Sequence, residues 1–201
     1  SWARSVENPC MTALILASTS PYRRELLARL HLPFDTVDPL VDETPLPGET
    51  PLQLATRLAA AKARAGGQGR PDAIVIGSDQ VADLGGAAMG KPGSHAAALA
   101  QVQRMRGKTL HFHTAVAVAR GPELVADVAT VTVRVRDVSD AAIERYLRLD
   151  QPYDCAGSAK VESLGIALLE AVESDDPTAL IGLPLIRTCA LLRHFGLDPL
   201  A

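Results

Sequence analysis

Apolar positions along the chain fall into two rhythms, short unbroken runs and faces that repeat at helical spacing. Residues 13–17 form an unbroken apolar run of strand length. Ser20 and Pro21 follow, a hydroxyl able to accept an orphan amide and a proline whose missing N–H costs nothing in a first turn. Leu26, Leu27 and Leu30 then supply one apolar face, so a helix is predicted from Pro21. Residues 32–41 read as a connection with a short extended stretch. Thr50, Pro51 and Gln53 have the spacing of a capping box and open a second helix through about Ala63. Residues 73–77 are apolar throughout and bounded by turn residues, as in a strand buried on both faces. Ser94 caps an alanine-rich helix that stops near Gly107. Residues 109–119 and 124–136, rich in Val and Thr and joined around Gly121 and Pro122, predict paired antiparallel strands. Ser139 starts a further helix, 165–170 is expected to be a strand, and 184–195 a closing helix. The order predicts a mixed α/β domain, its sheet flanked by helices and its polar motifs at strand ends.

Length and composition narrow this picture. The chain has 201 residues, 47% of them hydrophobic, enough for one substantial core. Residues 1–10 precede Met11 and carry no periodicity, so they read as a leader or extension, with 11–201 as a single domain. A net charge of −3 removes the broad positive field of a nucleic-acid binder, which makes any phosphate recognition local and favours a small ligand over a polymer. Cys10, Cys155 and Cys189 are odd in number and lack metal-site spacing, in keeping with a reducing cytoplasm. No apolar run approaches the roughly 18–20 residues of a membrane span.

Four features carry candidate chemistry. Arg23 and Arg24 occupy the first turn of the helix from Pro21, where the dipole is already positive, so an anion there would resolve the conflict. Asp79 follows the run 74–77 and reads as a carboxylate at a strand end, placed either to hold a metal or activate water or simply to cap the next turn. With Asp42 and Glu43 it offers hard oxygens to Mg²⁺ or Mn²⁺, though solvated loop carboxylates are the commoner case. Residues 85–91 match Gly-x-x-x-x-Gly-Lys, but Pro92 stands where a P-loop needs Ser or Thr. Lys91 and Lys62 remain isolated candidate phosphate partners. His111 and His113, two apart on one strand, share a face without zinc-site spacing to other ligands.

Taken in order, Leu-Ala-Ser-Thr-Ser-Pro-Tyr-Arg-Arg-Glu-Leu-Leu (16–27), Val-Asp-Glu-Thr (41–44), Ile-Gly-Ser-Asp-Gln (76–80), Gly-Lys-Pro (90–92), Cys-Ala-Gly-Ser-Ala-Lys-Val-Glu (155–162) and Asp-Pro-x-x-Leu-Ile-Gly-Leu-Pro (176–184) resemble the Maf family of nucleoside triphosphate pyrophosphatases. The resemblance runs from about Met11 to the C-terminus. It implies a fold related to the inosine triphosphate pyrophosphatases, two lobes around a central cleft, a homodimer, and hydrolysis of a nucleoside triphosphate to the monophosphate and pyrophosphate with Mg²⁺, Mn²⁺ or Co²⁺. It also implies that Asp79 is catalytic, that Ser18, Arg23, Arg24, Lys62 and Lys91 face the phosphates, and that Glu43 joins Asp79 at the metal. Within the family, the pyrimidine branch has Arg, Thr and Gln where this chain has Tyr22, Gln80 and Glu162. The motifs here are more similar to the branch acting on 7-methyl-GTP, which commonly has Trp at the position of Tyr22 and Phe at that of Ala159. Tyr22 and Glu162 are then expected to select a cationic methylated guanine. A dTTP or UTP pyrophosphatase and a regulatory nucleotide-binding protein linked to cell division stay open as alternatives.

Overall fold

The computed structural model describes residues 12–201; the proposed leader lies outside the described residues. A mixed sheet is built from β1 (Leu14–Ala17), β2 (Asp35–Val37), β3 (Ile74–Leu84), β4 (Ala87–Met89), β5 (Thr109–Arg120), β6 (Glu123–Val135) and β7 (Leu169–Glu173). Its order is β2-β1-β3-β5-β6-β7, with β4 hairpinned onto the far end of β3. β1 runs parallel to β2 and β3, and the remaining pairings are antiparallel. The helices are α1 (Pro21–Ala28), α2 (Pro51–Gly66), α3 (His95–Met105), α4 (Asp140–Asp150) and α5 (Leu185–His194). The expected caps are present: the side chains of Ser20, Thr50, Ser94 and Ser139 each accept the backbone N–H three residues on, and Gln53 closes the capping box of α2.

α1 and α5 cover one face of the sheet, where Leu26, Leu27 and Leu192 pack with Ile74, Ile76, Val116 and Val118. α2 covers the other, over Val81, Ala115, Ala117 and Ala119. α3 and α4 pack mainly against each other through Ala98, Val102, Ile143 and Leu147. Small residues let α2 lie directly on the sheet. A Cβ on Gly77 would stand 2.3 Å from the Ala59 carbonyl oxygen and 2.4 Å from the Ala63 nitrogen. Gly77→Ala is therefore expected to lower stability by about 1–3 kcal/mol or more through overpacking, read as a fall in the thermal midpoint. Because α2 carries Lys62, activity should fall further than the folded fraction.

Three expectations change. The strand predicted at 73–77 continues to Leu84, because beyond Gly77 its inward polar residues are satisfied: Ser78 Oγ donates to the Ala115 carbonyl at 2.7 Å, and Gln80 Nε2 reaches Thr114, Ala179 and Leu180 at 3.0 Å each. Asp79 thus lies inside a strand and not at its end. The segment 165–170 is split between a 3₁₀ turn at Leu164–Leu168 and the start of β7, since the Asp150 carboxylate takes the Gly165 N–H at 3.1 Å and curls the chain away from the ladder. Helix α2 extends one turn past Ala63, ending at Gly66, where a Cβ would meet that of Ala17 at 2.7 Å.

Candidate active site

β1 pairs with β3 only as far as Leu16 opposite Ile76, and β4 ends with Met89 opposite Ala82. Between them residues 77–81 of β3 have no neighbouring strand on that side among the described residues, and Asp79 stands in the middle of the gap. The crevice beyond the carboxyl end of β1 is where an α/β sheet ordinarily receives a ligand. A cleft of about 790 Å³ opens there, lined by the β1–α1 turn, the 38–45 loop, α2, β3 and segments 88–91, 154–162 and 181–182.

At its floor Lys62 Nζ lies 2.8 Å from Asp79 Oδ1 and 2.8 Å from Glu43 Oε1. Lys62 and Asp79 are both buried, whereas half of the Glu43 side chain is exposed. Burial raises the Asp79 carboxyl above the ordinary range, against the pull of Lys62 and Arg23 and with a push from Glu43. In Glu43 burial acts in the same direction but is outweighed by Lys62, Lys91 and Arg23, so its carboxyl is lowered. Two neighbouring carboxylates with oppositely shifted proton affinities are suited to different tasks, Asp79 to accepting a proton and Glu43 to staying ionised. The loop carrying Glu43 is fixed by Arg57, whose two-pronged contact with Glu49 holds that carboxyl down at about 2, and which also donates to the Thr44 carbonyl at 3.1 Å.

The two arginines of α1 part company. Arg23 reaches into the cleft, where its Nε donates to the Gly182 carbonyl at 2.8 Å; burial lowers its pKa while Asp79 and Glu43 oppose that shift. Those carboxylates answer the apparent charge conflict at the helix start. Arg24, one position and about a quarter-turn away, instead lines an adjoining hollow of about 180 Å³ against Thr36, Val37 and Asp38. Ser18 is buried and lines both spaces, with its Oγ accepting the Ser20 N–H at 3.1 Å. Lys91 is exposed on the cleft wall.

All three residues singled out for base selection line this cleft, but they differ in freedom. Gln80 has its amide nitrogen committed to Thr114 and the 179–180 carbonyls, which tie down the loop before Gly182. Tyr22 Oη donates to the Asp154 carboxylate at 3.1–3.2 Å. Glu162 is exposed, and neither Lys160 nor Arg24 pairs with it. Cys155, beside Tyr22, is a protonated thiol, pushed up to about 12 by burial and the nearby Asp154.

Residues 176–184, singled out in the sequence only as a motif without a role, form the scaffold of this site. Asp176 is fully buried and its carboxylate accepts the N–H groups of Ile186 and Arg187 at 3.2 and 3.0 Å, capping α5. Thr178 Oγ1 donates to the Leu183 carbonyl at 2.6 Å and accepts the Leu185 N–H at 2.9 Å. Together they hold Gly182, whose carbonyl receives Arg23 and Ser78. An Asp-Pro-Thr followed by Leu-Pro before an apolar helix was the available signal. His113 is bonded to Asp83 at 3.0 Å and Thr130 at 2.9 Å. Among the described residues, no group of three or more His, Cys, Asp or Glu is arranged to hold a metal by itself, and no helix is long and apolar enough to cross a membrane.

The arrangement is that of an α/β protein with a small-molecule cleft on whose floor cations and carboxylates converge. The chain belongs to the Maf-like proteins, whose family model matches residues 13–195. It is 60% identical over 199 residues to a 7-methyl-GTP pyrophosphatase of Polaromonas sp. (strain JS666), covering 98% of this chain and 90% of that one. A 7-methyl-GTP pyrophosphatase of Albidiferax ferrireducens is 58% identical over 97% of this chain and 99% of its own, and one of Cupriavidus metallidurans 57% over 92% and 94%. A more distant likeness is to the structure of the Staphylococcus aureus Ham1 protein, with a TM-score of 0.46 and 17% identity over 63% of this chain and 73% of that one.

Proposed function

We propose that this chain is a nucleoside triphosphate pyrophosphatase that takes 7-methyl-GTP and water to 7-methyl-GMP and pyrophosphate. The observation that carries the reading is the buried Lys62 bridging Asp79 and Glu43 in a cleft that also presents Arg23 and Lys91. The names of the relatives supply the substrate. In this reading Asp79, raised by burial, takes a proton from the water that attacks the α-phosphorus. Lys62, Arg23 and Lys91 offset the charge that builds on the departing pyrophosphate. Ser18 and the N-terminus of α1 receive phosphate oxygens, and Arg24 acts at longer range from the adjoining hollow.

Two carboxylates are the protein share that Mg²⁺ ordinarily takes when phosphates and waters complete its shell, so Asp79 and Glu43 fit a divalent ion bound together with the nucleotide. When bound, Mg²⁺, Mn²⁺ or Co²⁺ supplies neutralisation of the non-bridging phosphate oxygens. The protein is proposed to act in the cytoplasm as a homodimer.

A nucleotide panel tests the assignment. Purified protein with Mg²⁺, Mn²⁺ or Co²⁺ is expected to release pyrophosphate and no orthophosphate, fastest from 7-methyl-GTP. Preference for UTP or dTTP would move it to the pyrimidine branch. Binding without turnover under all three metals would favour the regulatory role.

A further inference from the structure

The cleft lining carries three cations, Arg23, Lys62 and Lys91, against five carboxylates, Asp38, Glu43, Asp79, Asp154 and Glu162. Glu43 and Asp79 are accounted for by Lys62. Among the described residues Asp38, Asp154 and Glu162 take part in no ion pair; Asp38 accepts the Leu40 N–H of its own loop at 3.0 Å, which leaves Asp154 and Glu162 on the wall formed by segment 154–162. Uncompensated carboxylates in a cleft that receives a polyanion oppose binding, unless the part of the ligand they meet is itself positive or rich in N–H donors. Of the two, Asp154 is the one that the fold orients. Tyr22 Oη, from the first turn of α1 and 132 residues away in sequence, donates to its carboxylate at 3.1–3.2 Å. An exposed aspartate free to rotate would sample solvent; this one is tied to Tyr22.

We infer that Asp154 is a specificity-determining residue that recognises the positive charge of an N7-methylated guanine, and that Tyr22 is its positioning residue. The inference rests on the pyrophosphatase reading above and deepens it. A carboxylate accepts hydrogen bonds and does not donate them, so Asp154 meets cationic ring edges and N–H groups and disfavours a carbonyl-rich pyrimidine edge. The ring of Tyr22 lines the same cleft, and its hydroxyl bond fixes both the ring and the carboxylate at once. Tyr22 therefore contributes through its oxygen as well as through any stacking of its face.

The test compares kcat/KM for 7-methyl-GTP and GTP, which differ by one methyl group and its charge. In Asp154→Asn the ratio is expected to fall at least about tenfold, mostly through KM for the methylated substrate. Asp154→Glu, which keeps the charge, should retain most of the preference. Tyr22→Phe keeps the ring and removes the hydroxyl; it should lower the ratio about threefold alone and add nothing in the Asp154→Asn background, as expected when one residue acts through another. An unchanged ratio in a folded Asp154→Asn would overturn the assignment of Asp154. Independent, additive losses in the double variant would overturn the positioning role of Tyr22. The underlying reading fails separately and in the wild type alone, if no triphosphate yields pyrophosphate. A wild type that cleaves triphosphates but does not prefer 7-methyl-GTP to GTP would overturn the inference and leave the reaction class intact.

Discussion

Asp79→Asn is expected to lower kcat by about a thousandfold or more while leaving the protein folded and, at neutral pH, no less stable than wild type. Loss of a positioned general base ordinarily costs about 10²–10⁴ in rate, and the same carboxylate is proposed to hold the metal. The stability half of the expectation follows from the sign of the shift. The Asp79 carboxyl is raised in the folded protein, chiefly by burial. Between its unfolded and folded values the native state therefore holds more protons than the unfolded chain, so stability falls as pH rises through that window. A neutral amide removes this burden, and Lys62 keeps Glu43 as a partner. Turnover measured beside thermal unfolding at pH 7 decides the matter: a folded variant with unchanged kcat would take Asp79 out of the chemistry.

What could be read in the sequence was local, and what escaped was the meeting of distant segments. The caps at Ser20, Thr50, Ser94 and Ser139 were legible because each bond closes within three residues. The two long Val- and Thr-rich strands were legible because both carry strong β preference around a Gly-containing turn. The extension of β3 was hidden, since Ser78, Asp79 and Gln80 look like a turn until their partners on β5, α2 and the 179–182 loop are known. Lys62 was a helix lysine of no distinction in sequence; its burial and both its carboxylate partners come from elements 17 or more residues away. Arg23 and Arg24 could not be told apart without the sheet, which decides which of two successive helix positions faces the cleft and which faces β2. Asp154 gave no signal, because its link to Tyr22 spans 132 residues.

The second large effect is expected at that lysine. Lys62→Met keeps most of the aliphatic stem and removes the ammonium. It leaves Asp79 buried beside Glu43 with the nearer of its two cations gone. Turnover should fall by about a hundredfold, comparable to deleting one preorganised donor at a site of developing charge. The pH dependence separates this from a generic loss of packing. Lys62 and Arg23 now pull the Asp79 carboxyl down against burial, and Lys62 is the stronger of the two. Without it burial and Glu43 face only Arg23, so the Asp79 carboxyl moves higher and the acidic limb of kcat/KM shifts to higher pH. Stability should follow the same sign. With a higher folded value the native state of the variant holds its extra proton over a wider window, so its deficit against wild type grows from acidic toward neutral pH and shrinks again on acidification. Thermal midpoints at pH 5 and pH 8, with rate profiles on the same preparations, test both halves. An acidic limb that stays where wild type has it would mean that Asp79 is not the titrating base, and a stability deficit equal at the two pH values would mean that the Lys62 ammonium does not set the proton affinity of Asp79.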